Sequence, residues 1–296
     1  QVEHPVTELV TGLDLVELMI KVAFGEQLKL SQEEITLKGW ALESRIYAED
    51  PYRNFLPSTG RLTKFKPPQE SICDDKVIRN DCGVNEGGEI SIYYDPMISK
   101  LCSWGKTREE AISFMQAALD EYQIEGIGQN IPFLHSVYRN QDFCVGNIST
   151  AFIENNYPEG FKGEALTEEE RSQLVALITF AYHTKNLRDQ AISGKLDSFE
   201  GNATEEYFIR FEDQWLATKI QKCDDEQTVT VNDLQLRFVT SWKPGDALIK
   251  ASFNKKNVVA SLRFQDQGIV LEYRGSLNTA IVCNETEKEL FKFIKE

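Results

Sequence analysis

The stretch QVEHPVTE sets a carboxylate, Glu3, beside an imidazole, His4, directly ahead of Pro5. Both side chains can move protons, yet on spacing alone they are the ordinary polar pair of a strand-to-helix connection. Arg45, in WALESRIYAED, stands on a strand of alternating apolar residues. A strand arginine buries its stem and leaves its head in water or on a carboxylate, so Arg45 gains a chemical role only where its guanidinium faces a pocket. Asp95, in SIYYDPMISK, precedes a proline after two tyrosines, which is the signature of a turn at a strand end. Lys100 closes that stretch as a solvated charge, and His135, on the apolar side of IPFLHSVY, reads as a packed histidine. There is no Walker loop, no GxGxxG after a strand, no serine elbow and no HExxH.

The elements around these residues follow from periodicity. Leu15, Leu18, Met19 and Val22 share one helical face, with Asp14 and Glu17 as the start signal and Gly25 just past the end. A second helix starts at Thr107, with Glu110 closing a capping box and Ala111, Phe114, Ala118 and Tyr122 continuing its face. Trp40–Ala48, Leu62–Lys66, Lys76–Arg79 and Glu89–Tyr94 alternate as strands do, and the turn-rich Asp50–Gly60 separates the first two. Composition changes at YPEGFKG, residues 157–163, a plausible domain boundary. A long helix follows, capped by Thr167 with Glu170, lined by Leu174, Leu177, Ile178 and Ala181, and running to about Ile192 before Gly194. From Tyr207 onward about eight short strands recur at regular spacing, which predicts a barrel or sandwich built around or against that helix. This second half carries one histidine, His183, and dispersed acids, so it reads as an interaction domain.

Composition narrows the classes further. The 47 acids against 32 bases give a formal charge of -15 over 296 residues, which points away from nucleic acid and anionic membranes. No apolar run approaches the roughly 20 residues that span a bilayer, and the first residues are neither a signal nor a transit peptide; the expectation is a soluble chain. The six cysteines are scattered, with no CxxC pair and no histidine nearby to complete a zinc set, and read as reduced thiols of an intracellular protein. The N-x-S/T triplets at Asn147, Asn202 and Asn284 stand without other signs of export.

QVEHPVTELVTGLDL, ESRIYAEDPYRNFLPSTGRL and SIYYDPMISKL stand in the order and at the spacings used by the C-terminal subdomain of biotin carboxylase. Residues 1–155 resemble that subdomain. Residues 156–296, with YPEGFKG, the long helix and the strands after it, resemble the docking (BT) domain found between biotin carboxylase and the biotin carrier in alpha subunits of the propionyl-CoA carboxylase family. The resemblance implies an α+β fold: an antiparallel sheet with helices, then a long helix surrounded by an antiparallel barrel of about eight strands. It implies a part of a subunit that carboxylates biotin with ATP and bicarbonate, toward conversion of propionyl-CoA to methylmalonyl-CoA. An alpha subunit of another acyl-CoA carboxylase, such as the methylcrotonyl enzyme, and a non-catalytic assembly module are the alternatives.

By the same resemblance Glu3 is the general base that takes the bicarbonate proton, and Gln1 with the backbone of Val2 helps to hold bicarbonate. Arg45 faces the biotin ureido oxygen and stabilises the enolate formed there. Asp95 orients Arg45, Thr150 in NISTAF lies beside the adenine, and His4 and Pro5 shape the turn that aims Glu3. An ATP-grasp domain holding ATP and Mg2+ is implied ahead of residue 1, and a biotin-bearing carrier domain after residue 296; no metal ligand is assigned within the chain. The carrier's Met-Lys motif does not occur. The implied partners are the carrier domain and a carboxyltransferase beta subunit in an α6β6 assembly, with residues 187–206 as an exposed hook. The implied location is the mitochondrial matrix, and the isolated chain is expected to be inactive.

Overall fold

The structure, a computed structural model, describes residues 4–91, 93–191, 205–223, 226–266, 268–291 and 293. The chain divides into two compact units, residues 1–163 and 164–296.

In the first unit four antiparallel strands run in the order Trp40–Tyr47, Met97–Gly105, Lys76–Cys82 and Ser71–Cys73. Met97–Gly105 is central and covered on both faces: Ile98, Ser99, Leu101, Cys102 and Ser103 are all buried. Burial on two sides removes the apolar-polar alternation that marks a half-exposed strand, so sequence reading passed over this element. The Arg108–Glu121 helix covers one face. Thr107 Oγ1 accepts from the Glu110 amide at 3.2 Å and the Glu110 carboxylate returns to the Thr107 amide at 3.2 Å, the capping box that the sequence predicts. Ile112, Met115 and Leu119 share one core with Ile46, Ile78 and Leu101. The buried serines of that face are satisfied: Ser44 by the Tyr138 hydroxyl at 2.8 Å, Ser99 by Tyr122 at 2.7 Å, Ser103 by the Ala111 carbonyl at 2.8 Å.

The strand carrying Arg45 is fixed by a residue from elsewhere in the chain. Asn130 donates from Nδ2 to the Arg45 carbonyl at 3.1 Å and accepts the Tyr47 amide at 2.9 Å, while its own amide donates to the Tyr47 carbonyl at 3.2 Å. The ladder to the central strand shifts register between Ile46 and Tyr47, so this bridge holds the backbone where strand pairing is irregular.

Two short helices open the unit. Pro5–Thr11 has proline in its first turn and ends at Gly12 with φ 73°, a left-handed position that glycine adopts without strain. Leu15–Ala23 begins at Asp14, whose side chain accepts from the Glu17 amide at 2.7 Å. The predicted face is present, but none of the nine residues is buried within this unit. Two strand expectations are corrected. Of the described residues of Glu89–Tyr94, which exclude Ile92, only Glu89–Ile90 are strand: Ser91 Oγ takes the Tyr93 amide at 3.1 Å and Asp95 takes the Met97 amide at 3.1 Å, local bonds that compete with a ladder. Leu62–Lys66 shortens to Lys64–Lys66, paired with Gln123–Glu125.

The second unit is a closed antiparallel barrel of eight strands with the Glu168–Gln190 helix packed in its core. The ring runs from Glu206–Phe211 through to Ser276–Cys283 and closes by pairing Phe208 with Cys283 and Arg210 with Ile281. Nine consecutive helix residues, Gln173–Ala181, are buried, which leaves that stretch no solvent face. Alternate strand residues such as Ile209, Phe211, Val229, Phe238, Leu262 and Leu271 fill the space around it. Hairpins turn through paired left-handed residues at Glu212–Asp213, Asn254–Lys255 and Arg274–Gly275, the twist that tight antiparallel hairpins require. The Thr167 cap is as expected, with the Glu170 amide 3.2 Å from Oγ1. The helix ends at Gln190 with Ala191 as its C-cap, close to the expected end; Ile192 lies outside the described residues.

Asn130→Ala is expected to lower the stability of the chain by about 1–3 kcal/mol, the desolvation cost of buried backbone groups left without a partner, and a urea titration reads this directly. Leu177, fully buried on the barrel helix, should cost about 2–5 kcal/mol on replacement by alanine; an unchanged melting curve would contradict the enclosed helix.

Candidate active site

The face of the sheet turned away from the Arg108–Glu121 helix is charged. Strand side chains alternate with a period of two, and the register pairs Arg45 with Lys100, Glu43 with Cys102, Arg79 with Cys102 and Asp81 with Lys100. Three adjacent strands therefore present Glu43 and Arg45, Lys100 and Cys102, and Arg79 and Asp81 on one surface.

The two arginines differ in what they have left to offer. Arg79 donates from Nε and Nη2 to both Asp81 oxygens at 2.8 and 2.7 Å and from Nη1 to Glu8 at 2.7 Å. Its pKa is raised, by the Asp81 bond first, against burial, with Glu8 adding to it. Arg45 is bound by one carboxylate, Nε to Glu43 Oε1 at 3.1 Å, and its side chain stays 56% exposed while that of Glu43 is 12% exposed. Glu43, then Tyr47, raise the Arg45 pKa, so the guanidinium is charged at every working pH. A guanidinium aimed by a half-hidden carboxylate, with donors left over, is suited to hold an oxygen that gains negative charge. Cys102, fully buried between these charges, is no nucleophile: burial first, then Glu43 and Asp81, pushes its thiol up to about 12.

The other sequence-predicted residues are spread around this face. Asp95 is exposed, accepts the Met97 amide, and acts with burial to raise the pKa of Glu49. Among the described residues no hydrogen bond joins Asp95 to Arg45. His4 precedes the Pro5–Thr11 helix and bonds through Nδ1 to Thr7 Oγ1 at 2.6 Å. Thr150 is exposed in the turn ahead of the Phe152–Asn156 helix. Gln1, Val2 and Glu3 lie outside the described residues. His135 is buried with Nε2 3.6 Å from Asp120, the packed histidine expected. Sequence reading missed Glu8, Glu43, Arg79 and Asn130. The i, i+2 spacing of Glu43 with Arg45 and of Arg79 with Asp81 was a usable signal, since such residues share a strand face; Glu8 and Asn130 act at a distance that no local pattern encodes.

Comparison with known proteins bears on the domains of the chain. Residues 43–155 match the biotin carboxylase C-terminal domain, residues 174–296 match the propionyl-coenzyme A carboxylase BT domain, and residues 1–31 match the carbamoyl-phosphate synthase L chain ATP binding domain. The propionyl-CoA carboxylase alpha chain of Ruegeria pomeroyi is 40% identical over all of this chain and 46% of its own length. The mitochondrial propionyl-CoA carboxylase alpha chain of Mus musculus is 37% identical over all of this chain and 41% of its own. The chain thus spans less than half the length of these relatives. Among solved structures, the biotin carboxylase subunit of pyruvate carboxylase is 42% identical with a TM-score of 0.51, over 56% of this chain and 35% of that one. The chain carries a biotin carboxylase C-terminal domain followed by a propionyl-CoA carboxylase BT domain.

Proposed function

We propose that the chain is part of the biotin carboxylase subunit of a propionyl-CoA carboxylase, with residues 1–155 completing the site that carboxylates biotin and residues 156–296 docking the subunit on its carboxyltransferase partner. The observation that carries the first half of this reading is Arg45: a permanently charged guanidinium, aimed by Glu43 and still more than half exposed, on the sheet face of a biotin carboxylase C-terminal domain. The second half rests on the BT match, a domain type named for the propionyl enzyme.

In this reading Arg45 donates to the biotin ureido oxygen as it gains charge, and Glu3 takes the bicarbonate proton while Gln1 and the Val2 backbone hold the anion. Asp95 is assigned to orient Arg45, from its place in the SIYYDPMISK motif. His4 shapes the turn behind Glu3, and Thr150 borders the adenine. Among the described residues no group of three or more His, Cys, Asp or Glu is arranged to hold a metal. In this reading ATP and its Mg2+ are held mainly by other parts of the subunit. Biotin arrives on a carrier domain. Assembly with the beta subunit as α6β6 belongs to the same proposal; the hook assigned to residues 187–206 falls largely outside the described residues. A mitochondrial matrix location is drawn from the mouse relative, which is named as mitochondrial, whereas the Ruegeria relative is bacterial.

In the complete subunit, Arg45→Ala is expected to lower biotin carboxylation by about 10²–10³-fold, the usual cost of removing one donor to a developing oxyanion, and Glu3→Gln to abolish bicarbonate-dependent ATP cleavage. Normal turnover in either variant removes that residue from the mechanism. Sedimentation of the whole alpha subunit with propionyl-type and methylcrotonyl-type beta subunits checks the docking assignment: co-migration with the propionyl type alone is expected, and co-migration with the methylcrotonyl type alone overturns it.

A further inference from the structure

The Pro5–Thr11 helix is seven residues long and buries only Pro5. Two turns of helix are unstable alone, so its place on the sheet is set by specific bonds. Glu8 supplies two of them. Its Oε2 receives Arg79 Nη1 at 2.7 Å, and its Oε1 receives the Leu15 amide at 2.8 Å. The carboxylate is 11% exposed, and the guanidinium it meets is held in turn by both oxygens of Asp81. A third bond, from the Lys38 amide to the Val10 carbonyl at 2.8 Å, fixes the far end of the same helix. Arg79 stands on one side of the central strand and Arg45 on the other, both on the charged face. Glu8 therefore couples three things: the helix that directly follows Glu3 and His4, the start of the next helix, and the sheet that presents Arg45.

We propose that Glu8 is a positioning residue for biotin carboxylation: through Arg79 it sets the helix behind Glu3 in register with the sheet that carries Arg45. This rests on the reading of Glu3 as base and Arg45 as oxyanion donor. A bidentate, half-buried arginine anchored on a second carboxylate is a rigid point of attachment, and a displacement of about 1 Å between reacting groups costs on the order of 10²-fold in rate. Without the Glu8 charge, the helix keeps its proline start and its glycine stop but loses its lateral tie to the sheet.

The test uses the full-length alpha subunit assembled with its beta subunit. Glu8→Gln is expected to lower kcat for bicarbonate-dependent ATP cleavage about tenfold or more while KM for ATP changes less than about twofold, since both Glu8 oxygens are engaged by Arg79 and the Leu15 amide, with assembly and melting temperature close to wild type. Glu8→Asp, which keeps the charge, should recover a substantial part of the rate. Glu3→Gln is measured beside it, alone and combined with Glu8→Gln; the combination is expected to be no worse than Glu3→Gln alone. A full rate in Glu8→Gln, or a loss that Glu8→Asp does not recover and that tracks the melting temperature, overturns the positioning role while leaving the base assignment intact. An active Glu3→Gln overturns the base assignment, and the proposal with it.

Discussion

The first unit depends on the burial of the Met97–Gly105 strand from both sides. One face takes the apolar flank of the Arg108–Glu121 helix, so the other can carry charge without leaving the sheet short of a core. Charged side chains on a partly covered surface are stable when they are paired and hydrogen-bonded, and the pairing here is unequal. Arg79 is held by two carboxylates, Asp81 and Glu8, whereas Arg45 meets one. That inequality separates a guanidinium tied into the sheet from one that is more exposed, 56% against 31%.

The edge position of the Arg45 strand has a second consequence. An edge strand has one open row of backbone groups, and at Arg45 and Tyr47 that row is closed by Asn130 in place of another strand. The bridge holds the register shift between Ile46 and Tyr47 and with it the direction in which the Arg45 side chain leaves the backbone. The barrel unit solves the edge problem by closure: its last strand returns to its first, and the helix fills the interior that an eight-stranded ring encloses. Closure of this kind limits the open strand edges that an unclosed antiparallel sheet would present.

Much of this was legible in the chain. The Thr107–Glu110 and Thr167–Glu170 capping boxes, the Asp14 cap and the alternation of the barrel strands are local signals, encoded within a few residues. The central strand was not legible, because burial on both faces erases alternation, and Glu89–Tyr94 was over-read because Ser91 and Asp95 satisfy the backbone locally. At the candidate site, Arg45 was named from its place in ESRIYAED, but its partner Glu43, two residues away, was not. Glu8 was invisible for a stronger reason: its partner Arg79 is 71 positions distant, and nothing near Glu8 distinguishes it from a solvated helix charge.

The sequence by itself determined the helix starts and stops, the strand-rich second half and the motifs that relate the chain to biotin carboxylases, since caps, periodicity and motif spacing act over short stretches of backbone. Only the tertiary structure decided which charges meet. The sheet register sets Arg45 and Arg79 on one face with the central strand between them, and the approach of the N-terminal helix gives one arginine a second carboxylate while the other stays open. Charge pairing depends on distances of a few ångströms between residues remote in sequence, and those distances exist only once the core has closed.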